Sequence, residues 1–123
     1  RRAISWNDLN NIGCVYGTKQ VTFDGITYKC RLVRLRDADP GVTNGRDITL
    51  LANVRLSIWD NLTDDELHFN QSGDDTGRYS WAQETVEGNS QHCYSFTAPG
   101  GGSTVAKNDR GTWFGWRPVL EVV

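Results

Sequence analysis

Residues 21–32 have the sequence VTFDGITYKCRL. Apolar and polar side chains alternate on both sides of Asp24-Gly25, which is typical of strands with one buried face. An Asp-Gly pair between two alternating runs favours a type I′ turn, because that turn needs positive φ at both central positions. The sequence therefore predicts a β-hairpin over residues 20–35.

Shorter elements are predicted on either side of the hairpin. Ser5 is placed to cap a short helix or turn at residues 4–9. Further along, strands are predicted at residues 79–83, 91–97 and 113–123, with a turn at 88–90 and an irregular glycine-rich stretch at 99–103. Pro118 cannot donate a backbone hydrogen bond, so we expect it at an edge or at the beginning of its strand.

The middle of the chain is predicted to carry loops and one or two helices. Residues 37–46 and 70–78 are polar and rich in turn formers, and Ser57 is placed to cap a helix over residues 58–67. Residues 46–56 fit either a helix or a strand. The predicted class is α+β, with short antiparallel sheets, one or two helices and long loops.

Length and charge limit what the protein can be. A chain of 123 residues suits a single domain, and its formal net charge of −2 comes with scattered basic residues. Nucleic-acid binding is therefore not expected, since no basic face is present. No apolar run approaches the ~20 residues of a membrane helix, and no signal peptide is recognisable, so no membrane insertion is expected. The absence of Met and the abrupt start at Arg1-Arg2 suggest the C-terminal domain of a longer protein.

Enzyme chemistry finds no support in the motifs. The two histidines are His68 and His92, and neither a GxSxG nor an HExxH pattern occurs. The glycines at 100–102 lack the Lys-Ser/Thr that follows a phosphate-binding loop. The acidic clusters at 64–66 and 74–75 lack EF-hand spacing, and solvated carboxylates are the simpler interpretation. We expect no catalytic residue, no metal and no cofactor.

The three cysteines, Cys14, Cys30 and Cys93, show no CxxC spacing. An odd number argues against a disulfide scaffold and favours buried thiols, although one bridge plus one thiol stays open.

The aromatic residues divide into a predicted core set and a predicted surface set. Trp59, Trp81, Phe114 and Trp116 sit in apolar patterns, so core packing is expected for each. The period of a strand places His92, Tyr94 and Phe96 on one face, opposite Cys93 and Ser95. We favour exposure of that face, with burial as the alternative. Trp113 follows a polar stretch and is also expected to be exposed.

Four stretches, in order, resemble one family. Residues 21–32 resemble the early hairpin of bacterial and viral C-type-lectin-like domains, and residues 57–62 (SIWDNL) resemble their short helix. Residues 79–85 (YSWAQET) are similar to their Trp-x-Gln-Glu strand. Residues 114–121 (FGWRPVLE) resemble their closing motif. The chain thus resembles the variable proteins of diversity-generating retroelements of phages and archaeal viruses, on the branch of the fold shared with formylglycine-generating enzymes.

The departures from the family's relatives are also informative. The chain lacks the Glu-Pro-Asn and Gln-Pro-Asp triplets of calcium-dependent lectins, and Trp6-Asn7-Asp8 lies far from the strand where a lectin triplet belongs. It is short for a formylglycine-generating enzyme and lacks the C-terminal cysteine pair.

The resemblance implies a non-enzymatic domain over residues 1–123 that recognises a protein or glycan ligand on a cell surface, from a virion tail or another cell surface. Its C-terminal third would be a diversified binding surface, consistent with the abundance of Asn, Ser, Asp, Thr and Gly at 85–113. The expected ligand-contacting residues are Tyr79, Glu84, Glu87, Asn89, Ser90, Gln91, His92, Tyr94, Phe96, Lys107, Asn108, Asp109, Arg110 and Trp113. The expected scaffold residues are Trp59, Trp81, Gly115, Trp116, Arg117 and Pro118. The alternative is a fixed carbohydrate-binding or structural module of a phage tail fibre.

Overall fold

A computed structural model of the chain describes residues 4–34, 79–97, 101–111 and 114–123. The predictions for residues 35–78, including the helix at 58–67 and the position of Trp59, lie outside the described residues, as does Trp113. The described elements are α1 (Trp6–Asn11), β1 (Tyr16–Phe23), β2 (Ile26–Arg31), β3 (Tyr79–Val86), β4 (Asn89–Thr97), β5 (Gly101–Ala106), β6 (Phe114–Gly115) and β7 (Val119–Val122).

The strands form two sheets of three and four strands, in the orders β1-β2-β7 and β5-β4-β3-β6. A bridge between Val33 and Ala82 joins the segment after β2 to β3. The described residues are mostly β with one short helix, which agrees with the predicted α+β class at that level of detail.

The hairpin that the sequence predicted is confirmed. Phe23 pairs with Ile26 across the turn, and the pairing continues to Lys19 and Cys30. Asp24 and Gly25 have φ of 49° and 77°, as a type I′ turn requires. The hairpin begins earlier than predicted, at Tyr16, with an irregularity in register between Tyr16 and Lys19.

The helix cap predicted at Ser5 is also confirmed, and it is reciprocal. The Ser5 hydroxyl accepts from the backbone N–H of Asp8 at 3.0 Å, and the Asp8 carboxylate accepts from the backbone N–H of Ser5 at 2.9 Å. This capping box satisfies two N–H groups that a helix start leaves without intrahelical partners. It allows a helix of only 6 residues to begin at a defined point.

The glycine-rich stretch departs from prediction. Residues 99–103 were expected to be irregular, but β5 starts at Gly101 and pairs with β4 from Thr97 to His92. The expectation is wrong for 101–103 because strand formation depends on the neighbouring strand more than on intrinsic preference. β4 offers a complete row of backbone partners, and these compensate for the weak strand preference of glycine.

The C-terminal segment is one predicted strand that the structure divides in two. β6 pairs in parallel with β3 in the four-stranded sheet, whereas β7 pairs with β2 in the three-stranded sheet. Pro118 lies between the two strands, just before β7, where its missing N–H costs no ladder hydrogen bond. The expectation for Pro118 is confirmed, and the closing segment passes from one sheet to the other.

The core is centred on Trp81, which is fully buried and stacks on Phe114 with ring centroids 4.3 Å apart. The indole N–H of Trp81 donates to the carbonyl oxygen of Ile4 at 3.0 Å. The indole N–H of Trp6 donates in the other direction, to the carbonyl oxygen of Ala82 at 3.0 Å. Two indoles therefore exchange hydrogen bonds between the segment around α1 and β3.

Trp116 does not join this core. It is 37% exposed, so the expected core packing is wrong for this residue. Trp116 lies in the irregular stretch between β6 and β7, where the chain leaves one sheet for the other and no alternating pattern directs a side chain inwards. Phe114, only two residues earlier, is buried.

All three cysteines are buried as free thiols, in agreement with the expectation of buried thiols. Burial, with the Cys14 thiol beside it, raises the pKa of Cys30 to about 11. Burial also raises the pKa of Cys93 to about 12. Neither of these two thiols has the lowered pKa of a reactive cysteine.

We expect Trp6→Phe to lower the free energy of unfolding by about 1–3 kcal/mol, because it leaves the buried carbonyl of Ala82 without its donor. Urea denaturation measures the change. Trp116→Phe is the matched control, and at a partly exposed site it should change the free energy of unfolding by less than about 0.5 kcal/mol. Equal losses in the two variants would contradict the role given to the Trp6 indole.

An ion pair fastens β7 to β2. The Arg31 side chain is nearly buried, and its Nε donates to Glu121 Oε2 at 2.7 Å. Arg31 Nη1 also donates to the carbonyl oxygen of Leu32 at 3.0 Å. The Arg31 guanidinium lowers the pKa of the Glu121 carboxyl below its usual value.

This pair predicts a loss of stability in acid. The folded-state pKa of Glu121 lies below the unfolded value of about 4.3, so its contribution is complete above that value. The contribution disappears as the pH falls through the lower folded pKa. Glu121→Gln should cost about 1 kcal/mol near neutral pH, because Glu121 is partly exposed, and nothing in strong acid. Urea denaturation across pH tests this, and an equal cost at every pH would contradict it.

Candidate ligand-binding surface

The first part of the candidate surface is the β3–β4 hairpin. The strands are joined by a turn at residues 87–88, in which Gly88 has a φ of 77°. The hairpin tip exposes four of the predicted contact residues, namely Glu87, Asn89, Ser90 and Gln91. The Asn89 side chain accepts from the backbone N–H of Gln91 at 3.2 Å, which gives this short polar segment a defined shape.

The second part is the loop that follows β5. The backbone N–H of Lys107 donates to the carbonyl oxygen of Gln91 at 2.9 Å, so the loop begins directly beside the hairpin. Asn108 and Arg110 are exposed, and Lys107 and Asp109 are half-buried. The structure therefore brings together two groups of predicted residues that lie about sixteen positions apart in the chain. We call residues 87–91 and 107–110 the sheet-end surface.

Helix α1 holds this loop in place through its backbone and two of its side chains. The backbone N–H of Asn7 donates to the carbonyl oxygen of Lys107 at 3.0 Å. The Arg110 guanidinium donates from Nε and Nη2 to the two Asp8 carboxylate oxygens, each at 2.7 Å. Lys107 Nζ lies 4.3 Å from the ring centroid of Trp6, in cation–π geometry. The loop is anchored by its own cations.

The electrostatics of this anchor follow from its geometry. Hydrogen bonds from Arg110 and Ser5 hold the pKa of Asp8 well below its usual range, and Asp8 raises the pKa of Arg110 in return. A planar guanidinium facing a carboxylate with two parallel hydrogen bonds fixes orientation as well as distance. Asp109 adds a local contact, since its carboxylate accepts from the backbone N–H of Gly111 at 2.7 Å.

The sequence does not predict that α1 lies beside this surface. Asn10 and Asn11 at the end of α1 are exposed on the helix that anchors the loop. The sequence gives no local signal for this arrangement, because Asp8 and Arg110 are 102 positions apart. Arg110 and Lys107 were predicted to contact ligand, and the structure shows that both are engaged with α1.

The side chains predicted as an exposed face of β4 are not exposed where the structure describes them. Tyr94 is only 7% exposed, so its expected exposure is wrong. β4 lies inside its sheet, with β3 on one side and β5 on the other, and both of its faces are covered at this point, since Cys93 and Ser95 are buried as well. His92 is half-buried. The side chain of Phe96, like Trp113, lies outside what the structure describes.

The remaining predicted contact residues lie on β3, outside the sheet-end surface. Tyr79 is half-buried at the opposite end of β3, where its ring packs against Phe114 with centroids 5.9 Å apart. Strand geometry separates the two ends of an 8-residue strand by roughly 23 Å. Glu84 is half-buried between these ends. Among the scaffold residues, Trp81 is buried as predicted, Gly115 and Arg117 are half-buried, and Pro118 is exposed.

The described residues contain no group of three or more His, Cys, Asp or Glu side chains arranged to hold a metal ion. Within the same ranges, no helix has both the length and the apolar character needed to cross a membrane.

Comparison of the chain with protein-family models, with curated proteins and with solved structures finds no match.

We expect Arg110→Ala to loosen the sheet-end surface without unfolding the domain, because Arg110 is exposed and its described contacts fasten the loop to Asp8. Amide hydrogen exchange should quicken at Lys107, Asp109 and Gly111. Lys29→Ala removes an exposed cation from β2 and serves as the control. Unchanged exchange in the loop would show that the backbone contacts alone hold it.

Proposed function

We propose that this chain is a non-enzymatic ligand-binding domain and that the sheet-end surface contacts its ligand, a protein or glycan on a cell surface. The observation that carries the proposal is that residues 87–91 and 107–110, two largely polar segments, lie side by side at one end of a sheet. The second segment is held to α1 by the bidentate ion pair between Arg110 and Asp8.

A surface of this kind suits recognition because rigidity and adaptability are separated within it. The backbone is held by strand pairing and by α1, so little conformational entropy is lost when a ligand binds. The exposed side chains at Asn89, Ser90, Gln91 and Asn108 are small or medium polar groups that can donate and accept hydrogen bonds. Such side chains supply adaptable contacts in binding loops.

The burial of Tyr94 changes the expected mode of contact. With the Tyr94 ring buried, we propose that hydrogen bonding from the hairpin tip and the loop carries the contact in its place. Glu87 lies at the exposed turn, and the charges of Arg110 and Asp8 largely compensate each other. We therefore propose a polar ligand surface, such as sugar hydroxyls or backbone amides.

We also propose that the exposed positions of this surface are diversified, as the resemblance to retroelement variable proteins implies. Exposed side chains outside the core can change with small effects on stability, usually within about 0.5 kcal/mol. Positions 87, 89, 90, 91 and 108 meet that condition, whereas Trp81 and Cys93, which lie on the same hairpin, are fully buried. Display on a virion tail or another cell surface belongs to the same proposal.

The coding DNA tests diversification directly. We expect a near-copy of the segment encoding residues 79–120 close to the gene, differing only at adenines and accompanied by a reverse transcriptase. Differences should fall in codons of the sheet-end surface and spare those of Trp81 and Cys93. Clones that are identical over this segment, with no near-copy, would favour the alternative of a fixed carbohydrate-binding or structural module of a tail fibre.

Binding itself is tested with a panel of glycans and of intact cells. For whichever panel member binds, the double variant Gln91→Ala, Asn108→Ala should lower affinity tenfold or more, a loss that corresponds to about 1.4 kcal/mol. The control is Gln20→Ala, Lys29→Ala, which removes two exposed polar side chains from the first hairpin. Both variants should keep the thermal stability of the parent chain. Equal binding by the two double variants would show that the ligand uses another surface.

A further inference from the structure

One face of the three-stranded sheet is apolar and exposed. The register aligns three rows of side chains across β1, β2 and β7, and the face they share consists of Phe23 with Ile26, then Val21 with Tyr28 and Val122, then Lys19 with Cys30 and Leu120. Seven of these eight residues are apolar or aromatic. The opposite face carries polar and charged residues, including Gln20, Lys29 and Glu121.

Burial along this face changes from one end to the other. Cys30, in the row nearest the core, is only 5% exposed and belongs to the buried cluster. Phe23, Ile26, Leu120 and Val122 are all between 45% and 65% exposed. The hairpin therefore extends the apolar face of the core beyond the part of the sheet that the described residues cover.

The size of this patch suits a symmetric interface. Half-exposed side chains of these types leave roughly 500 Å² of apolar surface, near the upper end of the roughly 300–600 Å² expected for the largest patch on a monomer. A standard interface buries about 800 Å² on each partner, of which about 65% is apolar in homodimers, or roughly 520 Å². The patch thus supplies the apolar share of one side of such an interface.

We propose that two copies of this chain associate through this face, packing the apolar sides of their β1-β2-β7 sheets against each other around a two-fold axis. An isologous contact uses the same patch on both copies, so one apolar face finds an equally apolar partner. Lys19, the one charged residue on the face, is exposed at its corner, where its ammonium group can reach solvent at the rim.

The proposed dimer leaves the sheet-end surface free, because that surface lies at the end of the other sheet, beside α1. Two sheet-end surfaces in one particle would bind a repetitive cell surface with higher avidity than either alone. This consequence is separate from the proposed function, since association through β1, β2 and β7 can be measured without any ligand.

Sedimentation equilibrium of the purified chain tests the association. We expect a mass twice the 13.8 kDa of the chain at micromolar concentration, and little change with added salt, because the buried surface is mainly apolar. Phe23→Lys and, independently, Val122→Lys on a different strand should each weaken dimerisation tenfold or more. Both positions are exposed in the single chain, so circular dichroism should show both variants folded.

The matched control is Gln20→Lys, which places the same side chain on the same strand as Phe23→Lys but on the opposite face. It should leave the dissociation constant unchanged. A monomer at every concentration would overturn the proposal. So would a dimer that resists both Phe23→Lys and Val122→Lys, that is weakened equally by Gln20→Lys, or that dissociates on addition of salt.

Discussion

The exchange of indole hydrogen bonds between Trp6 and Trp81 is the constraint on which the rest of the described structure depends. Each indole N–H is satisfied by a backbone carbonyl of the other segment, at Ala82 and Ile4. A large aromatic group can be buried without cost to its polar atom only where such an acceptor is in reach. The pair thereby fixes α1 against β3. From that position α1 holds the loop after β5 through Asp8 and through the ring of Trp6.

Much of the fold was predictable where the signal is local. The Asp24-Gly25 turn and the Ser5 cap depend on residues within a few positions of each other, so their residue types identify them. The errors occur where the deciding partner is distant in sequence. β5 forms because β4 lies beside it, Tyr94 is buried because both faces of its strand are covered, and Trp116 is exposed because the chain changes sheets there.

In the candidate site, too, local features were predictable and contacts between distant residues were not. The resemblance implied contact residues within 87–91 and 107–110, in keeping with the polar composition of 85–113, and the structure places the two segments side by side. Composition could not show that Arg110 and Lys107 contact α1. A sequence does not reveal whether a cation faces solvent, a carboxylate or an aromatic ring. Nor could alternation within a single strand distinguish a half-exposed strand from one covered on both faces, which is the distinction that decided Tyr94.

The pairing of β2 with β7 has a consequence for biosynthesis. Arg31 and Glu121 are 90 positions apart, so the three-stranded sheet closes only after nearly the whole segment has been made. While the ribosome extends the chain, the first hairpin has its turn and its two strands but not its third. Such a two-stranded unit is marginal in water, and sheets that await distant strands form slowly. The three-stranded sheet is therefore completed late, and until β7 is made the second edge of β2 has no partner strand.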